Sequence, residues 1–265
     1  VNSQNASNPT NTVNVTLTVT SVPTPTGLAI YNAATGLSRG VSPGLFVTIF
    51  GRNIAPATAL ETRVANGLVQ TELGGVRVTF DGVAAPLTYV GPSGDRTAEQ
   101  INAIVPYAVS GRATTRMVVE YRGGRSEPLE LVVREVDPGI FNRAGQGAIL
   151  NQDNSVNAPA TPAARGTVVQ VYATGEGLSA PAPQTGQVIT AGSVPRPLLP
   201  VSARVNGQPA SVEYAGAVPG LAAGVLQVNV RIPENLSLAG PAQVPIDIMI
   251  GTSMSQTGVT VAVRP

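Results

Sequence analysis

Three features of the 265-residue sequence predict an all-β chain: its residue usage, short runs in which apolar and polar residues alternate, and a set of landmarks that occurs twice. The chain carries 29 Gly and 23 Pro without low-complexity repetition, and only 12% of its residues are charged. Long solvent-facing helices need charged faces at helical spacing, and no such run occurs. The landmarks recur in order. Gly44 matches Gly166 at an offset of 122, Gly82 matches Gly207 and Tyr89 matches Tyr214 at 125, and Asn102 matches Asn229 and Pro106 matches Pro233 at 127. An offset that grows this slowly is what a duplicated core with small loop insertions produces. The length suits two domains of about 100 to 130 residues each.

Taken in order, residues 1–12 are rich in Asn, Ser and Thr and read as coil. Val13–Thr20 alternates strictly, with Val13, Val15, Leu17 and Val19 on one face and Asn14, Thr16, Thr18 and Thr20 on the other, which predicts a half-buried strand. Pro23 and Pro25 then forbid continued pairing and predict an extended linker. From Gly27 a short strand over Leu28–Tyr31 opens the first repeat. Pro43-Gly44 launches Leu45–Phe50, whose two faces are both apolar, so this strand is expected to be largely buried. It returns in the second repeat as Thr167-Val-Val-Gln-Val-Tyr-Ala-Thr174. Residues 52–70 read as a connection. Val76–Phe80 leads into Asp81-Gly82, a strong two-residue hairpin signal, and Pro86–Val90 returns from it. Strands follow at Gln100–Val105, Met117–Tyr121 and Leu129–Val136, with counterparts ending at Ile246–Ile250 and Val259–Val263. The domain plan is therefore 1–26 for the N-terminal strand and linker, 27–136 for a first sandwich, 137–163 for a hairpin connector turning at Asp153-Asn154, and 164–265 for a second sandwich.

The residues that are absent restrict the chemistry. There is no Cys, His or Trp, and all 16 basic residues are Arg. Thiol and imidazole nucleophiles, Lys Schiff bases and Cys or His metal sites are excluded, and no serine triad is available without His. A formal net charge of +1 gives no basic field for nucleic acid. No apolar run reaches the roughly 20 residues of a membrane span. Gly145-Gln-Gly147 lacks the third glycine of a nucleotide loop. Glu120, Glu130, Glu213, Glu234 and Asp247 fall on solvent-facing strand positions, where paired-carboxylate chemistry is less apt than simple solvation. Asn151, Asp153 and Asn154 carry oxygens that suit calcium, but turn chemistry explains them without an ion. No catalytic residue, metal ligand or cofactor is therefore expected. Tyr89 and Tyr214, being equivalent, are expected to hydrogen-bond at a sheet corner. The side-chain amides of Gln100, Asn102, Gln227 and Asn229 are expected to satisfy backbone groups at a bulge, with the lining of a groove as the alternative.

Several stretches, read together, carry a resemblance. They are Asn32-Ala-Ala34, Ser42-Pro-Gly44, Ile49-Phe-Gly-Arg-Asn53, Leu73-Gly-Gly-Val76, Gln100-Ile-Asn102, Val105-Pro-Tyr107, Pro138-Gly-Ile-Phe141 and Gly147-Ala-Ile-Leu-Asn-Gln-Asp153. This ordered set is similar to the uncharacterised C-terminal domain family abundant in Acidobacteria of the Solibacter type. The resemblance implies tandem immunoglobulin-like, antiparallel sandwiches at the ends of large exported proteins, and it brings no catalytic residues with it. The loop Gly91–Glu99 is longer than the pattern suggests. Its Asp95, Arg96 and Glu99 are candidates for a specialised contact.

These observations point to an extracellular or cell-surface protein with a structural or adhesive role. The expected partner is the protein itself, in a homopolymer whose subunits receive Val13–Thr20 from a neighbour. Pairing within the first domain and origin as the last strand of a preceding module are the other two readings. An accessory module that binds an extracellular polysaccharide is the alternative function, weakened by the absence of Trp.

Overall fold

The computed structural model describes residues 22–265. The Val13–Thr20 strand lies outside the described residues. Among them no helix is long and apolar enough to cross a membrane.

The described chain is all-β. The first sandwich uses β1 (Thr26–Asn32), β2 (Phe46–Arg52), β3 (Val76–Phe80), β4 (Leu87–Pro92), β5 (Glu99–Ile104), β6 (Thr114–Tyr121) and β7 (Leu129–Val132). One sheet runs β1-β2-β5-β4 and ends on the two-residue strand Leu60–Glu61; the other is centred on β6, with β3 on one side and β7 on the other. The second sandwich uses β8 (Gly139–Ile140), β9 (Ile149–Leu150), β10 (Val168–Thr174), β11 (Val201–Val205), β12 (Val212–Ala217), β13 (Leu226–Arg231), β14 (Ala242–Ile250) and β15 (Thr260–Arg264). Here β10-β13-β12 form one sheet with β8 and β9 on the outer side of β10, and β11, β14 and β15 form the core of the other.

Duplication is visible in the register. Ile49 faces Ile101 between β2 and β5, and Val171 faces Val228 between β10 and β13. These pairs obey the offsets of 122 and 127 found in the sequence. Each sandwich has its own apolar interior. Val47, Ile49, Val78, Ile101 and Val119 fill the first, with Val169, Val171, Val228, Ile248 and Val261 in the second, all fully buried. The hairpin signals act as expected: Asp81 and Gly82 both take positive φ (48° and 82°), as do Asn206 and Gly207 (51° and 76°), the combination a two-residue turn with matching twist requires.

The stretch 137–163 departs from its expected role as a connector. Gly139–Ile140 and Ile149–Leu150 pair with Thr174–Ala173 and Val171–Gln170 and so belong to the second sandwich, with Ile140 and Ile149 in its core. Two-residue strands are too short for alternation to reveal them. Residues 52–70 also do more than connect: Leu60–Glu61 pairs with Val90–Tyr89, and the hairpin Val64–Ala65/Leu68–Val69 reaches the second sandwich.

Candidate functional site

The most unusual chemistry among the described residues lies where the sandwiches meet. The start of β2 faces the end of β10, since the Phe46 amide donates to Thr174 Oγ1 at 3.1 Å. Equivalent strands therefore abut end to end, and the two sandwiches follow one another head to tail.

Polar groups fix this junction. Asn32 Nδ2 donates to the Asp137 carbonyl and carboxylate at 2.9 and 3.0 Å. Gln256 Nε2 donates to the carbonyls of Ile140 (2.6 Å) and Ala34 (3.3 Å), one on each side. Backbone pairing crosses it too, with Val69 N donating to Gly186 O and Val188 N to Gly67 O, both at 2.8 Å. Phe46 meets Phe141 edge-on at 6.4 Å, and Tyr107 packs against a small cluster of Ile189, Ala217 and Ala223. Backbones approach so closely that side chains are excluded. A Cβ on Gly224 would run into the Gly44 carbonyl, and one on Gly44 would lie 2.8 Å from the Tyr107 ring.

Three buried side-chain oxygens at the junction lack a hydrogen-bond partner: Ser42 Oγ, Tyr107 Oη and Glu176 Oε2. Buried polar atoms are nearly always paired, so such a group is conspicuous. Burial raises the Glu176 pKa from 4.5 to about 7. The Tyr107 phenol is pushed up by its burial and then by the nearby Glu176. Beside Glu176 opens a cleft of about 540 Å³, walled among others by Pro43, Arg112, Val136, Leu178 and Leu199. Among the described residues no three acidic side chains gather in a way that could hold a metal ion.

The outer poles differ from this inner contact. Where the first sandwich presents Leu45, Phe46 and Tyr107 to the junction, the offsets place Thr167, Val168 and Glu234 at the end of the second that lies away from it. The glycine geometry confirms the match, because a Cβ on Gly166 would meet Glu234 as one on Gly44 would meet Tyr107. Glu234 is exposed.

Of the expected contact loop, Asp95 and Arg96 are exposed, whereas Glu99 is turned inward and accepts from the Ile54 and Ala55 amides at 2.5 and 2.8 Å. Asp95 is occupied within the loop by Ser93 and Thr97, whose hydrogen bonds hold its carboxyl below the usual range. Val13, Val15, Leu17 and Val19 lie outside the described residues. Tyr89 and Tyr214 each donate to the carbonyl three residues on, Pro92 and Ala217, at 2.7 Å. The Gln and Asn side chains behave differently from expectation. Gln100 donates to Asn102 Oδ1 and Gln227 to Asn229 Oδ1, because side chains two apart on a strand share a face. Asp153 accepts from the Ser155 amide and hydroxyl, as in an Asx turn. Glu176, Asn32, Asp137 and Gln256 were not singled out by sequence reasoning. Asn32 and Pro138-Gly139 stood inside the resemblance, but no local pattern marks an isolated polar residue as interfacial.

No protein-family model matches the chain, and no curated protein does. Among solved structures, domains 5–6 of the S-layer protein SbsC align over 91% of this chain and 98% of theirs at 14% identity, with a TM-score of 0.24. The sialic acid binding region of a Streptococcus sanguinis SK1 adhesin, bound to 3'sLn, aligns over 92% of this chain and 78% of its own at 13% identity, with a TM-score of 0.16.

Proposed function

We propose that this chain is a non-enzymatic structural or adhesive protein of the cell exterior. In this reading it is a stiff two-sandwich rod, joined head to tail with further copies by donation of Val13–Thr20 to a neighbour. The observation that carries the reading is the junction. Side-chain hydrogen bonds, backbone pairing and excluded side chains all serve there to hold one orientation of two sandwiches, which suits a spacer under tension. The absence of His, Cys, Lys and Trp from the sequence is in keeping with it. Asp95 and Arg96, exposed on the loop between β4 and β5, are a proposed contact with a neighbour.

The test is sedimentation and electron microscopy of the full chain beside a variant lacking residues 1–21. Filaments from the full chain and folded monomers from the variant are expected. Monomers from both would end the polymer reading, and specific retention on a glycan array would then favour a polysaccharide-binding module.

A further inference from the structure

Comparison of the two sandwiches exposes an asymmetry at their last strands. In the second, the outer edge of β15 is covered. Ala163 and Ala164 run parallel to Val263 and Arg264, and Gln146 lies beside Thr260. The buried Asn157 side chain accepts from Ala262 N at 2.8 Å and donates to Ala262 O at 2.9 Å. In the first sandwich, β7 pairs on one side with Thr114–Met117. On the other side, among the described residues, its backbone bonds only to Val41, which donates to Val132 O at 2.9 Å and accepts from Arg134 N just beyond the strand at 2.8 Å. Residues 33–45 are too few to repeat what 141–167 do in the second copy. Because Leu129, Leu131 and Val133 turn their backbone groups towards β6, the Glu130 backbone and the Val132 amide face outward as a sheet edge, with Leu129 and Val133 half-buried at the core margin and Val132 58% exposed. An edge of this kind recruits another strand.

We infer that this edge is the seat of Val13–Thr20, laid antiparallel to β7 with Val13, Val15, Leu17 and Val19 extending the apolar margin of Leu129 and Val133. The inference rests on the reading that Val13–Thr20 pairs as a strand, and it names the acceptor. Two observations support the match. The segment has no charge and shows one continuous aliphatic face, so it wants half burial of the kind an edge position offers. The described chain also begins beside the right place. A Cβ on Gly124 would meet the Pro23 carbonyl, and Gly124 pairs with Tyr121 on the same side of β6 that carries β7. A chain running back from Pro23 is therefore led along β7. A strand from the same copy or, in a swapped arrangement, from a neighbour makes the same contacts there.

Hydrogen exchange of the full chain tests the seat. The outward amides of Glu130 and Val132 are expected to be protected in the full chain and to exchange at least about tenfold faster when residues 1–21 are removed. Leu17→Asp, which keeps the length and charges the donated face, is expected to do the same if the deletion disturbs folding. Equal exchange of these amides in all three proteins overturns the seat. Sedimentation run in parallel keeps the two readings apart. Protection in a protein that stays monomeric supports the seat and refutes the homopolymer. Filaments that form while these amides exchange freely refute the seat and leave strand donation standing elsewhere.

Discussion

At the scale of single residues, Glu176 sets an expectation about pH. Its folded pKa of about 7 lies above its ordinary 4.5 because burial disfavours the carboxylate. The protonated form is thus favoured in the fold: its stabilisation is complete below pH 4.5 and is lost as pH rises through 7. The protein is expected to melt at a higher temperature at pH 5 than at pH 8, by an amount equivalent to a few kcal/mol, and Glu176→Gln should flatten that slope in a calorimetric pH series. An unchanged slope would place the titration elsewhere. Gly224 supplies a second case. It combines φ of +102° with a neighbouring carbonyl where a Cβ would go. Gly224→Ala is expected to cost about 1 to 3 kcal/mol, measurable by denaturant unfolding, with disturbance confined to the junction.

At the scale of elements, the duplication makes paired predictions. Tyr89→Phe and Tyr214→Phe each remove one equivalent hydrogen bond and should cost about 1 kcal/mol apiece. Losses that differ severalfold in chemical denaturation would mean that the two corners have acquired separate roles. Asn157→Ala is expected to cost more, about 1 to 3 kcal/mol, because it strips both backbone groups of Ala262 of their buried partner. The long strands were legible in the sequence. Val76-Arg-Val-Thr-Phe80 and the hairpin after it carry period-two alternation and an Asp-Gly turn, both local signals. The two-residue strands Gly139–Ile140 and Ile149–Leu150 were not legible as part of a sheet, since what recruits them is the exposed side of β10, a partner distant in the chain. The Gln-Asn pairs lie on the strands their spacing predicts but bond to each other and not to backbone, a choice that strand geometry alone does not decide.

At the scale of the whole molecule, the junction should make the two sandwiches unfold together. Calorimetry of the full chain is expected to show one transition, and Gln256→Ala combined with Asn32→Ala, which removes the bonds to Ala34, Ile140 and Asp137, is expected to split it into two. Two transitions in the unaltered protein would show that each sandwich is held by its own core and that the junction couples nothing. This contact was the part least readable in the sequence: landmarks that recur at slowly growing offsets establish a repeat but do not say which end of one copy touches the other. The divergence of the poles, Tyr107 against Glu234 and Leu45 against Thr167, has a kinetic consequence. Tandem copies of one topology are prone to exchange strands or partners during synthesis and refolding. Having an apolar face on one copy and a charged one at the same spot on the other gives the newborn chain a single productive way to bring its halves together, so divergence within the repeat acts as an assembly code and works against misassembly.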